Sequence, residues 1–236
     1  RANTALAFVS LDKTGNREFS FYRNPSADLF LDETQIAPEM FENCAALHFC
    51  SVDLVDWPVR QAHVRAIELA KQAGAFLSFD PNVRLPLWSS PADCQAAIRK
   101  FLPYADLVKL SDDEIEFVTG CADEREAAEK LFAGGAKLVV VTRGASGSAV
   151  YTPKASAETE TIAVPVTDTT GAGDSFIGSF LYQLTRDGVT ADTLSALPES
   201  RLAAYLRFSA RCASLTVQRK GAAMPTLEEV REAYPD

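Results

Sequence analysis

The chain has 236 residues, 47% of them hydrophobic and 23% charged, the composition of an ordinary globular protein long enough to bury a core. Its 32 acidic residues outnumber 23 basic ones, giving a formal net charge of −9 with no basic block. That balance argues against a nucleic-acid backbone as partner, but not against an anionic small molecule, which a few backbone N–H groups can hold. No apolar run approaches the ~18 residues of a membrane span, and nothing at Arg1-Ala2-Asn3 reads as a signal peptide. The five cysteines (Cys44, Cys50, Cys94, Cys121 and Cys212) are scattered and lack metal-ligand spacing. They predict reduced, mostly buried thiols in a cytoplasmic protein.

In chain order, two β-rich runs, 4–11 and 18–22, flank the turn-rich Asp12-Lys13-Thr14-Gly15-Asn16. They predict a β-hairpin with Phe8, Phe19 and Phe21 on an apolar face. From Ala46 onward, short apolar strands alternate with helical stretches. Strands are expected at 46–51, 76–80 and 107–110, and helices at 58–74 and 92–102. The first helix opens on Pro58 and closes on Gly74, with Val59, Ala62, Ala66, Leu69, Ala70 and Ala73 at the helical period. There follow a helix at 124–132, strands at 138–142 and 147–152, and a β-type run ending at Val166. Helices at 174–185 and 201–215, and one after Pro225, complete the chain. Strand–helix alternation with short connections predicts a mainly parallel sheet covered on both faces.

The run Asp168-Thr169-Thr170-Gly171-Ala172-Gly173-Asp174 carries the chemistry. Small residues at 171–173 let a ligand approach the backbone, and the N–H groups of the following helix are unpaired at its start. With the positive end of the helix dipole they form a pocket for an anion. A carboxylate beside a bound phosphate is repelled unless it has a task, and accepting a proton from an attacking hydroxyl is one. Asp174 could instead simply cap its helix. A P-loop is excluded because no Gly-Lys-Ser/Thr occurs, and a GxGxxG dinucleotide motif is absent.

DTTGAGDSF resembles the second signature of the ribokinase-like (PfkB) carbohydrate kinases. The resemblance implies a three-layer α/β/α ribokinase-like domain with a mainly parallel central sheet and a small β lid. It makes Asp174 the base that deprotonates the acceptor hydroxyl, and the amides of Gly171, Ala172 and Gly173 the anion hole. Asp168 and Thr170 would adjoin a monovalent-cation site, often filled by potassium in the family. Thr142-Arg143-Gly144-Ala145-Ser146-Gly147 matches the segment lining the nucleotide, which assigns Thr142, Gly144 and Gly147 to ATP. Lys109-Leu110-Ser111-Asp112-Asp113-Glu114 matches a segment that in many members reads Asn-x-x-Glu, with Ser111 in place of the Asn. Glu114 would then act on Mg²⁺ through water; its alternative is an exposed carboxylate in an acidic first helical turn.

Ser78-Phe79-Asp80-Pro81-Asn82-Val83-Arg84-Leu85-Pro86-Leu87-Trp88 and the segment around Phe21-Tyr22-Arg23-Asn24-Pro25-Ser26-Ala27-Asp28 are similar to the fructokinase members of that family. By that similarity Tyr22, Arg23 and Arg84 bind substrate. Arg84 could instead hold its loop through Asp80, and Trp88 reads as packing. His48 and His63 have no clustered partners and read as neither base nor metal ligand. Residues 1–32 are expected to be part of the lid and 33–236 the kinase domain. The first strands, the rest of the lid and a glycine-rich sugar motif found in the family do not precede Arg1. The expected activity is ATP-dependent transfer of a phosphoryl group to a terminal hydroxyl of fructose. Alternatives are a kinase of 2-keto-3-deoxygluconate or of a riboside, and a non-catalytic kinase-like scaffold. A homodimer could form through the lid.

Overall fold

The computed structural model describes residues 2–11 and 17–235. Strands β1 (Leu6–Leu11) and β2 (Arg17–Tyr22) pair antiparallel as the expected hairpin; its turn, 12–16, lies outside the described residues. One expectation is corrected. Phe8 stands opposite Ser20 and Phe21 opposite Ala7, so strand alternation sets Phe8 and Phe21 on opposite faces. Leu6, Phe8 and Tyr22 share a face instead, and all three are exposed.

The body is built on a six-stranded sheet in the order β3-β4-β5-β6-β7-β8. Strands β3 (Ala46–Cys50), β4 (Phe76–Asp80), β5 (Leu107–Ser111) and β6 (Leu138–Thr142) run parallel. Strands β7 (Ser148–Tyr151) and β8 (Ser156–Thr159) add an antiparallel edge. The parallel strands are linked by α1 (Pro58–Gln72), α2 (Pro91–Phe101), α3 (Asp112–Thr119) and α4 (Glu124–Ala133). Helices α5 (Ala172–Arg186), α6 (Glu199–Val217) and α7 (Leu227–Ala233) follow β8.

Strand alternation assigns the two faces. Leu77, Phe79, Val108, Leu110, Val139 and Val141 pack with α1 to α4. Phe76, Leu107, Leu138 and Val140 pack on the other side with Phe176, Ile177 and Phe180 of α5 and with Leu202, Tyr205 and Leu206 of α6. Each such buried aliphatic or aromatic side chain contributes about 1.5–3 kcal/mol by leaving water. The result is the expected three-layer α/β/α arrangement.

One strand went unseen in the sequence reading: β8 is short, and three of its four residues are polar. The helix with the acidic first turn, α3, starts without any loop after β5. The β-type run ending at Val166 is also corrected, because residues 160–166 form no strand. After β8 the chain leaves the sheet for the end of α6, where the N–H groups of Thr167 and Asp168 donate to the Val217 carbonyl at 2.8 and 3.1 Å. That detour carries the glycine-rich turn to the C-terminal ends of the parallel strands.

Candidate active site

Odd and even positions alternate faces along a strand, so residues aligned with Phe76, Leu107 and Val140 point toward α5. That rule lines up His48 and Cys50 on β3, Ser78 and Asp80 on β4, Lys109 and Ser111 on β5, and Thr142 on β6. All of them approach the C-terminal strand ends, where open α/β sheets bind ligands. Helix α5 starts over the same place.

The start of α5 is unusual. Its N-cap is Gly171 in the left-handed region (φ 78°), and no side chain caps it. A Cβ on Gly171 would stand 2.8 Å from the Ala222 Cβ, so both conformation and space require glycine there. Asp174 lies in the first turn, exposed, and is therefore not the cap that the sequence left open. Ala172 N–H donates to the Thr169 carbonyl at 3.2 Å and Ser175 N–H to the Gly171 carbonyl at 2.8 Å. Among the described residues the amides of Gly173 and Asp174 have no acceptor. Open amides at a helix start can hold an anion.

The turn before the helix is tied down by Asp168. Its Oδ1 accepts from Thr170 N–H at 2.9 Å and from the Thr170 hydroxyl at 2.8 Å, and its Oδ2 accepts from Gly221 N–H at 2.8 Å. Asp168 and Thr170 thus join the glycine-rich turn to the 221–224 segment that Gly171 touches.

Of the residues expected at a nucleotide, Ser111 pairs with Thr142 in the sheet register. The hydroxyl of Thr142 approaches the Leu110 carbonyl at 3.5 Å. The β6–β7 turn closes through Arg143 N–H to the Gly147 carbonyl at 2.8 Å. Gly144 (φ 52°) and Gly147 (φ 94°) both adopt conformations that favour glycine, and a Cβ on Gly147 would collide with the Thr159 carbonyl oxygen. Glu114 is buried, not an exposed helix carboxylate. One of its oxygens accepts from Val83 N–H at 2.6 Å and the other from Ser111 N–H at 2.9 Å. Among the described residues no group of three or more His, Cys, Asp or Glu is placed to cage a metal ion. Such a donor set suits an ion bound chiefly by phosphates and water.

A cavity of about 370 Å³ opens beside Asp174, with His48, Cys50, Asp53, Asp80 and Asn82 in its wall. His48 Nδ1 is 2.9 Å from the Ser78 hydroxyl. Burial holds His48 below the usual histidine range, against the opposing pull of Asp174. Burial likewise pushes the Cys50 thiol up to about 11, which makes it a poor nucleophile.

The predicted sugar contacts are less concentrated. Tyr22 is exposed on the hairpin. Arg23 is buried at the hairpin base, donating to Asp28 at 2.7 Å, to the Val52 carbonyl at 2.8 Å and to Asp53. It reaches the cavity through Asp53. Arg84 Nη1 donates to the Val83 carbonyl at 3.0 Å. Asp80, the alternative partner considered for Arg84, pairs with Lys109 at 2.9 Å instead. Trp88 packs against the core beneath α2. The sequence reading missed Lys109 and Asp80 as a buried pair. Both lie inside motif segments, but only strand pairing shows that they meet.

The model of the pfkB family carbohydrate kinases matches residues 1–229. The chain is 43% identical over 228 residues to a probable fructokinase-2 of Arabidopsis thaliana, covering 95% of this chain and 68% of that protein. The crystal structure of a fructokinase with bound ATP from Xylella fastidiosa superposes with a TM-score of 0.89 at 36% identity, over 98% of this chain and 73% of that one. A fructokinase from Vibrio cholerae O395 in fructose-, ADP- and calcium-bound form gives 0.85 at 35% identity, over 98% and 73%. The match runs through both the hairpin and the body, and the chain belongs to the pfkB family of carbohydrate kinases.

Proposed function

We propose that the protein is a fructokinase that transfers the γ-phosphoryl group of ATP to a terminal hydroxyl of fructose. The observation that carries this reading is the uncapped start of α5. There an exposed carboxylate, Asp174, stands beside two unpartnered amides at the rim of a cavity that also holds His48, Asp53, Asp80 and Asn82 in its wall. The acceptor oxygen forms a bond to the γ-phosphorus as its proton passes to Asp174. The bond from that phosphorus to the β–γ bridging oxygen breaks, and its electron pair leaves on ADP. The open amides of Gly171 and Gly173 stabilise the charge on the transferring group, and the Ala172 amide joins them by giving up its 3.2 Å bond to the Thr169 carbonyl.

The nucleotide lies along Ser111, Thr142, Gly144 and Gly147. Glu114, through water, would help hold the Mg²⁺ that accompanies nucleotide phosphates, and that ion would supply charge neutralisation there. Asp168 and Thr170 border a monovalent-cation site that potassium fills. The sugar side takes in Tyr22 and Arg84 together with Arg23, the last through the Asp53 it holds. Residues 1–32 form part of a lid over a kinase domain at 33–236, and the apolar side chains exposed on the hairpin support a homodimer through that lid. No described helix is long and apolar enough to cross a membrane, and we assign the enzyme to the cytoplasm.

A sugar panel with ATP tests the substrate. Release of ADP with fructose above all others is the expected result, and preference for 2-keto-3-deoxygluconate or a riboside overturns the choice. No turnover with any sugar would favour a non-catalytic scaffold.

A further inference from the structure

Lys109 and Asp80 stand on neighbouring parallel strands, one step beyond the Phe79–Val108 pair, with both side chains on the α5 face. Their ion pair is 2.9 Å long, with side chains only 8% and 6% exposed. Removing two charges from water costs energy that their attraction seldom more than offsets, so a buried pair is weak evidence of a role in stability. Its position is more telling. The Lys109 ammonium lies 3.6 Å from where a Gly173 Cβ would stand, directly beneath the open amides of the anion cradle. An ammonium has three donors, and Asp80 is the one hydrogen-bonding partner of Lys109 among the described residues. Two donors therefore remain at the floor of the cradle.

Asp80 is held on its other side. Its Oδ1 accepts from Asn82 N–H at 3.1 Å, fixing the carboxylate to the loop that forms the cavity wall. Burial pushes Asp80 up to about 6, with Lys109 pulling the other way and Glu114 and Asp174 adding to the rise. A carboxylate in that setting is a restrained partner for Lys109, able to orient it without neutralising it completely.

We propose that Lys109 stabilises the phosphoryl group during transfer, and that Asp80 is a positioning residue that holds the ammonium under the cradle until that charge arrives. The proposal rests on the kinase reading of the site and adds a side-chain cation to its backbone donors. As the phosphorus moves from the ADP oxygen to the sugar oxygen, negative charge on its peripheral oxygens meets the two spare Lys109 donors. Asp174 separately receives the hydroxyl proton.

The test compares the protein with its Lys109→Met variant and with the double variant Lys109→Met/Asp80→Asn. The measurements are kcat, KM for sugar, melting temperature, and the affinities of ATP and of ADP·fluoroaluminate, a mimic of the transferring group. Removing one preorganised donor should lower kcat by about 10²-fold or more. Affinity for the mimic should fall in parallel, while ATP affinity and KM stay within about threefold. The double variant leaves no lone buried carboxylate, so it should melt near the parent temperature and remain slow. Recovered turnover in the double variant would overturn the proposal, as would equal weakening of ATP and mimic, or kcat unchanged in a folded single variant. The mimic-to-ATP affinity ratio reads Lys109 whatever the acceptor, so a parent protein that ignored fructose would sink the substrate assignment and leave this comparison standing.

Discussion

Two helices begin at the C-terminal ends of this sheet with acidic first turns, and they are built in opposite ways. Helix α3 follows β5 with no loop, and Glu114 folds back so that its carboxylate accepts from the N–H of Ser111 and of Val83. Its start is closed by its own residues. Helix α5 has a glycine N-cap, no capping side chain, an exposed Asp174 and two amides without acceptors. Its start is left open. Closed helix starts stabilise a fold by pairing the donors that every helix leaves over, whereas an open one keeps those donors for a ligand. Similar residue types are therefore tied into the fold in one place and left open in the other.

If that contrast is right, substitutions at the open start should damage turnover and those at the closed start should damage stability first. The largest effect is expected from Asp174→Asn, which removes the proposed proton acceptor without changing the volume. Steady-state turnover should fall by about 10²–10⁴-fold with ATP affinity and melting temperature almost unchanged. Full activity in that variant would remove Asp174 from its role. Gly171→Ala should damage both properties. A left-handed non-glycine residue costs roughly 1–2 kcal/mol, and the contact with Ala222 adds to that cost. Thermal unfolding should shift down by several degrees, at about 2–4 °C per kcal/mol for a chain of this size.

Glu114→Gln probes the closed start. The amide cannot accept from both backbone donors, and leaving one buried N–H unpaired costs about 1–3 kcal/mol. Urea unfolding should record that loss, while the Mg²⁺ concentration giving half-maximal activity should rise. A stability loss without any change in Mg²⁺ requirement would make Glu114 purely structural.

The smallest effect expected is in pH dependence. Burial pushes Asp80 in the folded protein up to about 6, above its ordinary 3.8. The folded state therefore holds that proton more tightly than the unfolded state does. The associated stability is fully present below 3.8 and is lost as pH rises through about 6. Unfolding free energies of the parent and of Asp80→Asn, measured from pH 4 to 7, should differ in slope over that window. Identical slopes would show that Asp80 does not titrate there.

The layered fold was largely legible because its signals are local. Apolar runs at 76–80 and 138–142 matched β4 and β6 to the residue. Pro58 and the helical period placed α1 within a turn of its observed end. β8 escaped notice because three of the four residues of Ser156–Thr159 are polar and the strand is held by pairing with β7. The run to Val166 misled for the converse reason. It has strand-like residues but no neighbouring strand edge, and strand propensity yields to tertiary context.

The chemistry divides along the same line. By itself, the sequence determined that a glycine-rich turn precedes a helix carrying Asp174, and that the chain resembles a known kinase family. Those features depend on residue type at close spacing, where backbone conformation is set locally. Only the tertiary structure decided that Asp174 is not a cap, that Glu114 is buried, and that Arg23 is held in the hairpin base. It alone brought Lys109 to Asp80 and set the Lys109 ammonium beneath Gly173. Those facts depend on which strands are neighbours and which helix crosses their ends. Such pairings join residues roughly 30 to 90 positions apart, and no local preference encodes them.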